Sequence, residues 1–142
     1  MKKTFTQVLF ISVLSCLLFC VGCSHDYTLM HEQSEISSIE IVSLPDGLHY
    51  KEDLKAEAGL CKIENISAFL TELSEIKFES IHPPYDSSIA TTAIKITYQN
   101  GDCEWISPHG RTTFKNGSLN FTGSISCDET NFFAWIDGYT NE

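Results

Sequence analysis

The stretch Ile94-Lys95-Ile96-Thr97-Tyr98-Gln99-Asn100-Gly101-Asp102-Cys103-Glu104-Trp105 decides the fold. Ile94, Ile96 and Tyr98 alternate with Lys95, Thr97 and Gln99, the period of a strand with one buried face. Asn100-Gly101 follows at once. Asn-Gly between alternating runs is a strong hairpin signal, because a two-residue loop needs positive φ at both central positions. With that loop, Tyr98 faces Cys103 and Ile96 faces Trp105, all on one side of a sheet.

A second Asn-Gly, at Asn116-Gly117, pairs Phe114 with Leu119 and Thr112 with Phe121 by the same rule. Leu119, Phe121, Ile125 and Cys127 then continue along one face. The two hairpins disagree in parity between Trp105 and Phe114, which places a bulge at Ser107-Pro108-His109-Gly110. Upstream, Ile39 and Ile41 alternate with polar neighbours in a strand opening at Ile36 and ending at Pro45-Asp46-Gly47. Residues 48–62 are heavily charged and suit a short helix before Gly59.

Ile66, Phe69, Leu70, Leu73 and Ile76 recur at three- and four-residue steps, one apolar stripe on a helix that Asn65 caps. Ser67, Thr71, Glu72 and Glu75 fall on its wet face. Lys77 to Ile81 reads as a strand closed by His82-Pro83-Pro84, since proline cannot donate to a ladder. Asp128 caps a last helix carrying Phe132, Phe133, Trp135, Ile136 and Tyr139. The expected fold is α+β: an antiparallel sheet of three to five strands with two helices packed on one face.

The amino terminus is of another kind. Lys2 and Lys3 precede an apolar run from Val8 to Val21, and Gly22-Cys23 closes it before polar Ser24-His25-Asp26. A charged start, a short apolar centre and a small residue at the end read as an export signal, too short for a membrane span. With cysteine directly after the small residue, this segment resembles a bacterial lipoprotein signal, although Cys20 stands where that pattern has leucine. The resemblance covers residues 1–23 and implies Cys23 as the lipid-bearing first residue of the mature chain, with palmitate-type acyl groups. One acyl chain alone binds a bilayer marginally, and two or three make a permanent anchor. The implied location is the extracytoplasmic side of the cell membrane or outer membrane. It carries no named function; many small lipoproteins of this kind are uncharacterised.

Residues 1–22 are thus the signal peptide, and residues 23–35, polar and without period, read as a tether reaching roughly 40 Å when extended. Residues 36–142 form a single domain. The mature chain has seven basic against 19 acidic residues, a net charge of −12. So acidic a body is repelled by phosphate backbones, which argues against nucleic acid as a partner. It also favours standing off an anionic bilayer. The expected partners are the membrane, through the anchor, and an unidentified protein.

Three cysteines remain beyond Cys23 in a compartment where disulfides persist. Cys103 and Cys127 fall on the inward face of neighbouring strands, and a bridge between them is the leading pairing. Cys61 bridging either one, or three buried thiols, are the alternatives. A loop of about two dozen residues would stabilise by about 3–4 kcal/mol in the chain-entropy model. The five histidines show no zinc spacing, and there is no nucleophile motif, phosphate-binding glycine loop or cofactor signature. A noncatalytic binding or accessory module is the reading, with an acidic inhibitor or immunity protein directed at a basic enzyme as the alternative. Trp105, His109 and Arg111 beside the expected bulge form the candidate contact site, since bulges re-aim side chains.

Overall fold

The computed structural model describes residues 24–43, 58–80, 92–123 and 125–141. Strand β1 is Ser24–Asp26; after a single 3₁₀ turn at Gln33–Glu35 come β2 (Ile36–Ser43) and β3 (Ala58–Lys62). Helix α1 (Ile66–Glu75) leads into β4 (Lys77–Ser80). Strands β5 (Thr92–Tyr98), β6 (Cys103–Ser107), β7 (Gly110–Lys115) and β8 (Ser118–Gly123) follow. The chain closes with β9 (Ile125–Ser126) and α2 (Glu129–Thr140).

The class is α+β, as expected, with a larger sheet. Six antiparallel strands run in the order β3-β2-β5-β6-β7-β8, and a small second sheet runs β1-β4-β9. The inner face of the large sheet presents Ile39, Ile41, Ile94, Ile96, Tyr98 and Ile106. Against it pack Phe69 and Leu73 of α1, Phe78 of β4, and Phe132 and Ile136 of α2. Each large apolar side chain so buried contributes roughly 1.5–3 kcal/mol. Both helices are capped where the sequence indicates: Asn65 Oδ1 accepts the Ala68 N–H at 3.1 Å, and Asp128 Oδ1 accepts that of Asn131 at 3.0 Å. Neither helix, among the described residues, is long and apolar enough to cross a membrane.

Four expectations are corrected. The first concerns the hairpin at Asn100-Gly101. Tyr98 N–H donates to the Asp102 carbonyl at 2.9 Å, Gly101 N–H to that of Tyr98 at 3.0 Å, and Asp102 N–H to Asn100 Oδ1 at 2.9 Å. Gly101 alone in this loop has positive φ, at 85°. That is a three-residue loop closed by a glycine bulge, not a two-residue one. The register becomes Thr97 opposite Cys103, Ile96 opposite Glu104, Lys95 opposite Trp105, and Ile94 opposite Ile106. Every β6 side chain therefore turns to the face opposite the one expected.

The second correction follows from the first. Trp105 and Phe114 share the outer face, their rings 5.2 Å apart, so no parity conflict exists between the hairpins. Ser107 pairs directly with Gly110, and the irregularity lies between Thr113 and Phe114 instead. The Asn116-Gly117 loop is the two-residue type expected, with positive φ at both residues, and Phe114 does face Leu119. Past the bulge Phe121 faces Thr113, not Thr112.

Third, residues 24–35 are no tether. Strand β1 pairs with β4 through Ser24–Glu79, His25–Phe78 and Asp26–Lys77, and Tyr27, Leu29 and Met30 pack on the core. Fourth, among the described residues Cys61, Cys103 and Cys127 are free thiols, not the expected Cys103–Cys127 bridge. Cys103 sits on the outer face with Val42, Ala93 and Trp105, whereas Cys61 and Cys127 pack against the inner core. The Pro45 turn, the short helix read before Gly59, His49 and the His82-Pro83-Pro84 segment lie outside the described residues, as do the signal peptide and Cys23.

Candidate functional site

The register of β6 places one charged side chain where the sequence leads one to expect none. Glu104 has no exposed surface, and its carboxylate is enclosed by four partners. Arg111, across on β7, donates from Nε at 3.0 Å and from a terminal nitrogen at 2.7 Å to Oε2. Tyr27 O–H donates to the same oxygen at 2.6 Å. Tyr98 O–H and, at 3.2 Å, the Met30 N–H donate to Oε1. The Arg111 guanidinium also lies 5.0 Å from the centre of the Tyr27 ring, a cation–π position. Burial first and then the Glu104 charge hold the Tyr27 phenol well above its ordinary value, so it stays a donor.

A second carboxylate, Asp102, is 2% exposed and binds the same segment a turn further on. Its Oδ1 accepts the Asn116 N–H at 2.9 Å; its Oδ2 meets His31 Nε2 at 2.8 Å and Asn100 Nδ2 at 3.1 Å. The Asn116 amide first, and His31 second, hold the Asp102 carboxyl below the usual aspartate range. The His31 ring also stands edge-on to Tyr98, 4.7 Å between centres. Together Glu104 and Asp102 clasp Tyr27, Met30 and His31 onto the β5–β6 hairpin. No substrate could reach Glu104, so this cluster is architectural.

The structure does not bring Trp105, His109 and Arg111 together. Trp105 projects from the outer face, 5% exposed, with Lys95 Nζ 5.3 Å from its ring centre. Arg111 projects from the inner face and is consumed by Glu104. His109 sits in the β6–β7 turn, its Nε2 3.5 Å from Glu129 at the start of α2. The contact site read from the sequence is thus three separate places. Cys127, beside that turn, has its thiol pushed up to about 12 by burial and then by the Asp128 and Glu129 charges.

Among the described residues, a groove of about 570 Å³ lies between α1 and the first turns of α2. Glu72 and Glu75 of α1, Lys77 of β4, and Asp128, Asn131 and Trp135 of α2 line it. Its geometry centres on Glu72. Trp135 Nε1–H and Tyr139 O–H both donate to Glu72 Oε2, each at 2.7 Å. These two donors, Tyr139 foremost, hold the carboxyl below its ordinary value. The rings are themselves fixed, since Phe69 lies 4.8 Å from Trp135 and 5.2 Å from Tyr139. The result is an oriented, ionised carboxylate beside an indole, flanked by further acidic residues. Such a surface attracts an ammonium or guanidinium group by charge and by the aromatic face.

Sequence reading placed Glu72 correctly on a wet helix face but missed its donors, which come from 63 and 67 residues further along. Among the described residues no group of three His, Cys, Asp or Glu side chains is placed to hold a metal ion. Compared with known proteins, the chain matches no family model, no curated protein and no solved structure.

Proposed function

We propose that the protein is a lipoprotein of the cell envelope, acylated at Cys23, whose folded body acts without catalysis as a binding module for a basic partner. The likeness of residues 1–23 to a lipoprotein signal supports the anchor. The observation that carries the binding role is Glu72, fixed by Trp135 and Tyr139 at the edge of the α1–α2 groove. A lysine or arginine side chain there meets a charge already oriented, at no cost in carboxylate rotamer freedom. The outlying acidic surface speeds encounter with a cationic partner, an effect that weakens as salt rises.

Two experiments test this reading. Metabolic labelling with an alkynyl fatty acid should tag the wild-type chain and leave Cys23→Ser untagged. Titration with an oligolysine peptide should give binding that Glu72→Gln with Glu75→Gln weakens about tenfold, which corresponds to about 1.4 kcal/mol. Equal binding by both forms would remove the groove from the account. The alternative, an inhibitor or immunity protein that caps a basic enzyme, draws on the net charge of −12 spread over the mature chain. It predicts that inhibition of a basic hydrolase survives the groove substitutions.

A further inference from the structure

We infer that the body is mounted directly on the bilayer, with the β1–β4–β9 edge against the lipid surface and the Asn100 and Asn116 turns directed away from it. The inference rests on the proposed acylation of Cys23 and adds to it an orientation and a contact surface.

The argument is one of chain length. Cys23 is one peptide unit from Ser24, so their Cα atoms lie about 3.8 Å apart. Ser24 is already in strand β1, opposite Glu79, and Glu79 is opposite Ser126 on the other side of β4. A lipid on Cys23 therefore has no free linker, and its bilayer must come close to Ser24 and to Glu79 beside it, with Ser126 one strand further on, about 10 Å from Ser24 at the usual strand spacing.

The strand does not stand alone. Just beyond it, Tyr27 and Met30 donate to the buried Glu104, and His31 meets Asp102. Freeing the chain from Ser24 through Met30 to make a tether would uncover Phe78 and leave Oε1 of Glu104 short of a donor and Oε2 short of another. Buried polar groups left unpaired destabilise the fold. The clasp therefore resists the repulsion between an acidic body and anionic lipid.

The same segment fixes which end faces outward. From Ser24 the chain runs to His31, which binds Asp102 at the tip of the β5–β6 hairpin. Asp102 in turn accepts the Asn116 N–H of the next loop. Both Asn-Gly turns thus lie at the far end of the segment from the anchor.

The full-length acylated protein in vesicles of neutral lipid tests this. A fluorescent amino acid replaces either Glu79 or Lys115, both exposed, and the probe is a lipid carrying a nitroxide on its headgroup. Direct mounting predicts quenching several times greater at 79 than at 115. Inserting ten Gly-Ser residues between Cys23 and Ser24, with a root-mean-square span of about 18 Å, should abolish the difference. Weak and equal quenching at both positions in a chain that mass spectrometry shows to be acylated would overturn the mounting and spare the anchor. An unacylated Cys23 would overturn the anchor, and the mounting with it.

Discussion

Two loops in this protein share the dipeptide Asn-Gly and fold it differently. At Asn116-Gly117 both residues take positive φ, 53° and 74°, and the loop has two residues. At Asn100-Gly101 only the glycine does, Gln99 joins the loop, and the register of β6 shifts by one. The dipeptide permits either outcome. What separates them is the strand that follows. After Asn116-Gly117, Ser118, Leu119 and Asn120 are exposed, so neither parity is enforced by burial. After Asn100-Gly101 come Asp102 and Glu104, whose partners all lie on the inner side. Ile106 also goes inward only in the observed register, where it completes the core with Ile94 and Ile96. A turn motif thus proposes a register, and distant partners choose it.

Four predictions probe this contrast. Inserting one alanine between Asp102 and Cys103, with the loop left as it is, shifts β6 by one residue and reverses every β6 side chain, expelling Glu104 and Ile106 from the inner face. The expected result is loss of the cooperative unfolding transition in urea. Arg111→Met keeps the backbone but strands the Glu104 charge in the core. Breaking a buried pair in this way costs about 3–5 kcal/mol, read from the urea midpoint. Persistence of wild-type stability would mean that Glu104 does not need its partner and that the register has another cause.

Gly101→Ala and Gly117→Ala test the loops themselves. Nothing lies within 4 Å of a Cβ at either position, so each loses only through its left-handed backbone. About 1–2 kcal/mol is expected at each, and similar losses would show that both loops need the glycine despite their different lengths. The smallest effect concerns pH. Asp102 has a folded-state pKa below its unfolded one, so its contribution is full above about pH 3.9, the ordinary aspartate value, and fades as pH falls through the folded one. Asp102→Asn should therefore flatten the acid limb of the stability curve below about pH 4. Glu72, also depressed, keeps its share in both forms, so the difference between them isolates Asp102.

These loops also mark the reach of sequence reading. Helices α1 and α2 were legible because Asn65 and Asp128 bond residues three positions away, inside the window that periodicity surveys. The Asn116 loop was legible for the same reason. The β6 register was not, because it answers to Tyr27, 77 residues before Glu104, and to Arg111 on the next strand. Residues 24–35 looked like a linker since Tyr27, Leu29 and Met30 follow neither helix nor strand period. They are partly buried against the core, and Tyr27 and Met30 fit around a carboxylate the local sequence cannot reveal. The groove escaped notice likewise: Glu72 and Trp135 are ordinary members of two amphipathic helices until those helices are side by side.

The clasp on Tyr27, Met30 and His31 bears on how the molecule can be cut. A chain trimmed to begin at Ile36, where hydrophobic alternation first becomes visible, would discard two donors to Glu104 and the imidazole on Asp102. It would also uncover the edge of β4 that β1 now pairs. Such a fragment would be prone to aggregate through that bare strand, while one beginning at Ser24 keeps both the carboxylates and the edge satisfied.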